Sequence, residues 1–149
     1  MTDVYNLLDG ALTDDPDRAG YSQRYARVGQ LLGAVRLGMS VYELAEGERV
    51  CPYHFEWTDE EWLFVLDGNP TLRAPDGEHV LAPGDVVCFP EGPDGAHDVT
   101  GPARIGILST KSRYGVAEYP DSDKVGLFAD GNSRLVRASP ELDYWDGEK

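Results

Sequence analysis

Glycine and proline recur at short intervals along the chain, and this spacing constrains the fold more than any other feature. The 17 glycines and 10 prolines leave few uninterrupted segments long enough for a helix. No stretch of fifteen residues carries the i, i+3, i+4, i+7 apolar spacing of an amphipathic helix. Asp76-Gly77, between two short β-prone segments, is a strong hairpin signal. The pattern predicts an all-β domain of short strands joined by tight turns.

The turn signals divide the middle of the chain into eight predicted strands. These strands span residues 36–44, 50–57, 61–66, 71–74, 78–81, 86–89, 97–100 and 104–109. Beyond residue 110 the pattern weakens, and only a short strand at 125–128 and a short extended piece at 135–136 are predicted there. A chain of 149 residues corresponds to about one domain. We therefore expect a single domain over 1–149, with a β core of about 36–110 and two arms, 1–35 and 111–149.

The charge of the chain excludes two classes of partner. Thirteen basic residues against 27 acidic ones give a net charge of −14. A negative field of this size repels phosphate backbones and anionic lipid, so nucleic acid and membrane surfaces are excluded. No apolar run approaches the roughly 20 residues of a membrane span. The first ten residues show no signal peptide, and we expect a cytoplasmic protein.

Two polar side chains, His54 and Glu56, share one face of the predicted strand 50–57. Successive side chains of a strand point to opposite faces, so Tyr53, Phe55 and Trp57 occupy the other face. The aromatic face has to be buried. A polar pair opposite three aromatic residues is therefore unusual for a pair that merely faces solvent.

Glu61 begins the next predicted strand, which is apolar on both faces. It shares one face with Leu63 and Val65, and Trp62 lies on the other. A strand of this kind is usually covered on both sides, as in a barrel or sandwich that also dimerises, so Glu61 is expected to point inward.

His54, Glu56 and Glu61 fall within eight residues of one another. Neutral imidazole and carboxylate oxygens suit Zn, Fe(II), Mn or Ni, so the three could begin a metal site. A solvated rim beside a buried, hydrogen-bonded histidine explains the same residues, and both interpretations stay open at this point.

The spacing of these residues resembles the first motif of the cupin superfamily. That motif runs from a glycine through His-x-His to a glutamate and a second glycine. Here Gly47 precedes His54, Glu61 follows Glu56 after four residues, and Gly68 follows after six more.

A second segment is similar to the second cupin motif. Gly84 is followed after five residues by Pro90-Glu91-Gly92, and then by His97. The resemblance covers about residues 36–110. It implies a cupin barrel (a double-stranded β-helix, or jelly roll) with N- and C-terminal arms, in which His97 lies opposite His54.

The chain departs from the family pattern at three points. Glu56 replaces the second histidine of the first motif, four residues rather than two separate Gly92 from His97, and Gly101 replaces the final asparagine. The resemblance implies ligand positions at His54, Glu61 and His97, with Glu56 as a substituted ligand. Two histidines and two carboxylates would suit a divalent ion such as Zn, Fe, Mn or Ni.

Three functions remain open on these residues. The first is a metal-dependent enzyme of the dioxygenase, isomerase or hydrolase type, acting on a small organic substrate with Glu56 or Glu61 as general base. The second is a metal-free isomerase or epimerase in which these two glutamates transfer protons. The third is a binding module for a sugar or another metabolite. The resemblance extends to a group of small single-domain bacterial cupins, but it supplies no substrate.

The expected partners are a small-molecule ligand and a second copy of the chain. Cupins of this size commonly pair through their sheets, and the doubly apolar strand that begins at Glu61 fits such a homodimer.

Overall fold

The computed structural model describes residues 2–15 and 18–148. They form thirteen strands and one short α-helix, so the expected all-β class is confirmed. The elements in chain order are β1 (Thr13–Asp15), β2 (Gln23–Ala26), α1 (Val28–Leu31), β3 (Leu37–Leu44), β4 (Phe55–Glu56), β5 (Glu61–Gly68), β6 (Thr71–Ala74), β7 (Gly77–Val80), β8 (Val86–Phe89), β9 (Asp98–Thr100), β10 (Ala103–Thr110), β11 (Tyr114–Tyr119), β12 (Lys124–Ala129) and β13 (Asn132–Arg137). Among the described residues, no helix is long and apolar enough to cross a membrane.

The strands form two layers with a shared core. One layer is a six-stranded sheet in the order β1-β2-β3-β10-β5-β8. The other consists of a four-stranded sheet, β13-β12-β11-β4, and a three-stranded sheet, β7-β6-β9. A bridge between His54 and His97 joins the two smaller sheets. The chain therefore forms a jelly roll, with the seam of the second layer at the two histidines.

The main core lies between the layers and uses the alternation of the strands. Leu63 of β5 and Ile105 of β10 are fully buried from the six-stranded sheet. Leu72 of β6 and Val99 of β9 are buried from the other layer and belong to the same cluster. Side chains at alternate positions of facing strands fill the space between two sheets, which keeps the barrel interior apolar away from the histidines.

The N-terminal arm covers part of the outer face of the six-stranded sheet. Val41 of β3 is fully buried there in a second cluster, and Leu66 of β5 and Leu7 of the arm pack against that cluster. Arg104 of β10 holds the arm in place, because its Nε donates to the Leu7 carbonyl (2.8 Å) and its Nη2 to the Gly10 carbonyl (3.0 Å). The arm explains why the outer face of β5 is apolar at Leu66.

The predicted strand 50–57 is wrong in its length. Only Phe55–Glu56 is a regular strand, and the preceding residues contribute isolated bridges at Arg49 and His54. Pro52 has no backbone N–H and cannot extend a ladder, which accounts for the interruption.

The C-terminal arm is more ordered than the sequence pattern indicated. Strands β11, β12 and β13 form an antiparallel meander that continues the layer beyond β4. The prediction contained a short strand at 125–128 and a short extended piece at 135–136, which lie within β12 and β13, and no strand at β11. Gly115 and Ala117 lie on one face of β11 and are too small to produce the pattern of large apolar residues that predicts a strand. Ala117 is nevertheless fully buried.

Candidate metal centre

The candidate site is built on a direct backbone pair between His54 and His97. The His54 N–H donates to the His97 carbonyl (3.1 Å), and the His97 N–H donates to the His54 carbonyl (2.8 Å). Residues paired in this way carry their side chains on the same face of the sheet. Both imidazoles are buried, and their ring centroids lie 4.8 Å apart.

Backbone carbonyls set the tautomer of both imidazoles. Nδ1 of His97 lies 2.9 Å from the Gly95 carbonyl oxygen, and Nδ1 of His54 lies 3.1 Å from the Pro52 carbonyl oxygen. A carbonyl oxygen only accepts, so each neutral ring carries its proton on Nδ1 and a lone pair on Nε2. Anchoring of the remote nitrogen by a backbone carbonyl is characteristic of metal-binding histidines.

Glu61 approaches the histidine pair from the opposite sheet, where it is the first residue of β5. Its Oε2 lies 3.4 Å from Nε2 of His97 and 3.8 Å from Nε2 of His54. The candidate ligand atoms of the three residues all lie within 4.8 Å of one another. The cluster therefore connects the two layers of the barrel.

The donor atoms of this cluster fit a divalent cation. Two unprotonated nitrogens face the carboxyl group of Glu61. When this group is ionised, only acceptors meet, and a proton or a cation has to lie between them. Ligand atoms about 2.1 Å from a tetrahedral ion are about 3.4 Å apart. The separations of Glu61 from His97 and His54 are close to that value.

Glu56, the fourth predicted ligand, lies at the edge of the cluster. Its Oε1 is 4.0 Å from Nε2 of His54, and it does not belong to the compact group of three. Its side chain instead borders a cavity of about 700 Å³, which Asp59, Lys111 and Arg113 also line.

The buried site shifts the pKa of each titratable group toward the neutral form. Burial raises the pKa of Glu56 to about 8, with further contributions from the negative charges of Glu61 and Asp59. Burial and the charge of Asp59 raise the pKa of Glu61 to about 7. Burial and the neighbouring His54 lower the pKa of His97 to about 4, and burial lowers that of His54. A divalent cation would favour the ionised carboxylates and neutral imidazoles that ligation needs.

Two aromatic residues with no predicted role support the imidazoles. Phe89 stacks on the His97 ring with centroids 3.7 Å apart and planes 8° from parallel. Tyr119, from the end of β11, stacks on the His54 ring at 5.7 Å. Phe89 was predicted as a strand residue, but no local pattern identifies Tyr119, because it reaches the site through a sheet that forms in the C-terminal arm.

The loop lengthened by two residues before His97 contains a short 3-10 turn, Pro93–Gly95. This turn brings the Gly95 carbonyl to the imidazole. A Cβ atom at Gly95 would lie 1.8 Å from the Pro90 carbonyl oxygen, so this position admits only glycine without a shift of the loop. The longer loop thus supplies the hydrogen bond that orients His97, a role that spacing alone did not reveal.

The chain is similar to one known protein family and to several solved structures. The family model for a cupin domain matches residues 40–108. Residues 40–108 therefore match a cupin domain, and the expected jelly-roll fold of the cupin type is confirmed.

Three solved structures illustrate the likeness. A candidate sugar phosphate isomerase from Acidithiobacillus ferrooxidans aligns with a TM-score of 0.76 and 24% identity, over 83% of this chain and 81% of its own. A sugar phosphate isomerase from Silicibacter pomeroyi aligns with a TM-score of 0.75 and 23% identity, over 82% of this chain and 81% of its own. The polyketide cyclase RemF from Streptomyces resistomycificus aligns with a TM-score of 0.58 and 19% identity, over 74% of this chain and 80% of its own. At these identities the likeness is one of fold. No functionally curated protein matches the chain.

Proposed function

We propose that the protein is an enzyme that holds one divalent metal ion at His54, Glu61 and His97 and acts on a small organic substrate inside the barrel. The observation that carries this proposal is the convergence of two Nε2 lone pairs on one carboxylate. Zn, Fe, Mn and Ni all accept such ligands. Three protein ligands leave positions free for a substrate, as catalytic metal sites require.

A metal ion in this site would act as a Lewis acid toward a carbonyl or hydroxyl oxygen of the substrate. Glu56 is our candidate general base, because it borders a cavity and lies outside the group of three. In an isomerisation of a hydroxy-carbonyl substrate, its carboxylate would take a proton from the hydroxyl-bearing carbon beside the carbonyl group and return it to the former carbonyl carbon. The hydroxyl proton would pass to the carbonyl oxygen in the same conversion. Such a step consumes no oxidant or reductant.

We favour this isomerase chemistry over dioxygenase or hydrolase chemistry. Two solved structures of the same fold support it, a candidate sugar phosphate isomerase from A. ferrooxidans and a sugar phosphate isomerase from S. pomeroyi. A base beside a Lewis-acid site is the minimum that a hydroxy-carbonyl isomerisation needs.

Metal analysis of protein purified without a histidine tag tests the proposal. After reconstitution with Zn, Fe(II), Mn or Ni we expect about one ion per chain for at least one of the metals. His54→Gln and His97→Gln should each weaken binding by about 100-fold or more. His79→Gln is the matched control, since His79 lies on the β6–β7 hairpin and its Nε2 contacts Asp76 at 2.9 Å. Near-zero metal in the wild type, or an equal loss in the control, would overturn the proposal.

A metal-free isomerase is the second candidate. A protonated Glu61 would also avoid placing acceptor atoms against one another, because its O–H could donate to one of the two Nε2 atoms. Glu56 and Glu61 would then serve as base and acid. Isomerase activity that survives exhaustive chelation, with no metal in the protein, would favour this candidate over the metal enzyme.

We also propose that the protein is a homodimer that pairs through the outer face of β5 and β8. Trp62 is 38% exposed there and lies opposite Cys88 in the register, and the neighbouring Val86 is 51% exposed. Light scattering should give twice the chain mass for the wild type and the monomer mass for Trp62→Lys. Trp145→Lys, at an exposed position in the C-terminal segment, is the control. A monomeric wild type would contradict the dimer. The cytoplasmic location stays a prediction.

A further inference from the structure

A second cavity, of about 320 Å³, opens beside Glu61 at the end of the barrel. Its wall includes inward-facing residues of β3 and β10, and Ser109 of β10 is the direct cross-strand partner of Glu61. The cavity therefore continues to the carboxylate of the candidate metal centre. Its volume is at the lower end of the range for small-molecule pockets, which limits an occupant to a compact metabolite.

Arg27 lines this cavity in a fixed orientation. Its Nη1 donates to the Tyr42 hydroxyl (2.6 Å) and to Ser40 Oγ (3.2 Å). The guanidinium also lies over the rings of Tyr25 and Tyr42, at 4.9 and 5.6 Å from their centroids. These contacts hold the side chain while occupying only one of its three nitrogens. Within residues 2–15 and 18–148, no carboxylate lies within 4.0 Å of it.

Lys111 is a second cation on the same cavity. It follows the last residue of β10 and borders both this cavity and the larger one beside Glu56. In the described part of the chain, its ammonium has no hydrogen bond or ion pair. Its neighbour Arg113, in contrast, is paired with Asp130 (3.1 Å).

The charge around the smaller cavity is opposite to that of the protein as a whole. The chain carries a net charge of −14, yet Glu61 is the one acidic residue among those lining this cavity, against two cations. The larger cavity differs, because Glu56, Asp59 and Asp130 all line it. A bound anion would therefore be favoured in the smaller cavity and disfavoured in the larger one.

We propose that Arg27 and Lys111 bind an oxyanion group of the substrate, a phosphate ester or a carboxylate, in the cavity beside Glu61. The planar guanidinium presents its free Nε and Nη2 donors to two oxygens of the anion, and the ammonium adds a point charge. The reactive part of the molecule then extends toward Glu61. This inference rests on the proposed function, since it assigns the substrate class of the same site.

Titration of the full-length, chelator-treated protein with inorganic phosphate, and separately with malonate, tests the inference by NMR. We expect saturable shifts of the Gly29 and Gly38 amides, which belong to residues that line the cavity. Arg27→Gln and Lys111→Gln should each weaken binding by about tenfold or more. Arg36→Gln is the control, because Arg36 is exposed, carries the same charge and does not line the cavity. The anion that binds more tightly identifies phosphate or carboxylate as the natural group.

Arg27→Lys is a second variant that separates an effect on anion binding from a folding defect in Arg27→Gln. It keeps the positive charge but loses the planar guanidinium. We expect it to bind the anion more weakly than the wild type and to unfold at the same temperature. Non-saturable shifts, or equal affinity in all variants, would overturn the anion site. Zinc titration of the same samples separates the two proposals. If the wild-type protein binds zinc but no anion, the anion site alone is rejected. If it binds the anion but no zinc, only the metal enzyme is rejected.

Discussion

His54 and His97 are paired through both of their backbone hydrogen bonds, although 43 positions separate them in the sequence. The bridge they form joins the two small sheets of one layer. The same pair therefore closes the barrel wall and aligns two imidazoles on its inner side. Glu61 completes the group from the other layer, so the candidate metal centre depends on correct packing of both layers.

Glu61→Gln should weaken divalent-metal binding by about 100-fold or more, because it removes the negative ligand that faces both Nε2 atoms. Calorimetric titration with zinc measures the effect. Glu60→Gln is the matched control, since Glu60 is the exposed neighbour and its carboxylate accepts a hydrogen bond from Trp62 instead of facing the cluster. Unchanged zinc affinity in Glu61→Gln would show that the carboxylate is not a ligand.

The metal-free protein should lose stability as the pH rises from 6.5 to about 9. Glu61 and Glu56 have pKa values of about 7 and 8 in the folded chain but an ordinary value of 4.5, so the folded state holds protons that the unfolded state has released. The stabilisation they add is fully present below pH 4.5 and is lost as the pH passes 7 to 8. A pKa difference of one unit is equivalent to about 1.4 kcal/mol, so we expect a loss of roughly 2–3 kcal/mol in the free energy of unfolding between pH 6.5 and 9.

His97 contributes the opposite slope, but in a lower range. Its pKa falls from 6.5 to about 4 on folding, so its contribution is present above pH 6.5 and is lost as the pH falls toward 4. The two carboxylates therefore contribute the largest part of the change between pH 6.5 and 9 within the site. Urea unfolding across this range measures it. The Glu56→Gln/Glu61→Gln variant should flatten the profile, and an unchanged slope in that variant would contradict the assignment.

Gly95→Ala should both destabilise the protein and weaken metal binding. The new Cβ would lie 1.8 Å from the Pro90 carbonyl oxygen, so the turn has to open and withdraw the carbonyl that accepts from His97 Nδ1. We expect a loss of about 1–3 kcal/mol in the free energy of unfolding and reduced zinc affinity. Gly115→Ala is the control, because a Cβ there meets its nearest atom at 3.6 Å. Wild-type zinc affinity in Gly95→Ala would show that the turn does not orient His97.

Arg104→Met should release the N-terminal arm from the six-stranded sheet. The substitution removes hydrogen bonds to the Leu7 and Gly10 carbonyls and an ion pair with Glu43 (3.1 Å). Charge-assisted bonds of this kind are worth about 1.5–3 kcal/mol, so we expect a loss of about 2–3 kcal/mol.

Limited proteolysis should show new cleavage among residues 2–12 of this variant. Arg113→Met is the matched control, because its pair with Asp130 is exposed and should contribute less than about 1 kcal/mol. Cleavage at the same rate in wild type and Arg104→Met would mean that other contacts hold the arm.

Local sequence patterns were sufficient for the class of fold and for the individual strands of the core. Turn residues and period-two alternation act over a few positions, and strands β3, β5, β6 and β8 lie close to the predicted segments. The strand around Pro52 and the C-terminal meander were not predicted correctly. At Pro52 the missing backbone N–H interrupts the ladder. In the C-terminal meander, small residues such as Ala117 are buried because of the strands packed around them, and their own weak hydrophobicity gives no strand pattern.

Strand alternation and glycine spacing are local properties, and they were enough to place His54 and Glu61 on inward-facing positions of a cupin-like barrel. How those residues meet depends on the packing of distant segments. The pairing of His54 with His97, the carbonyls that orient their Nδ1 atoms, and the position of Glu56 at the edge of the cluster all depend on contacts between distant segments. Arg27, at the end of the N-terminal arm, lines the cavity beside Glu61 for the same reason. Its position follows from the packing of the arm against β3, which no local pattern encodes.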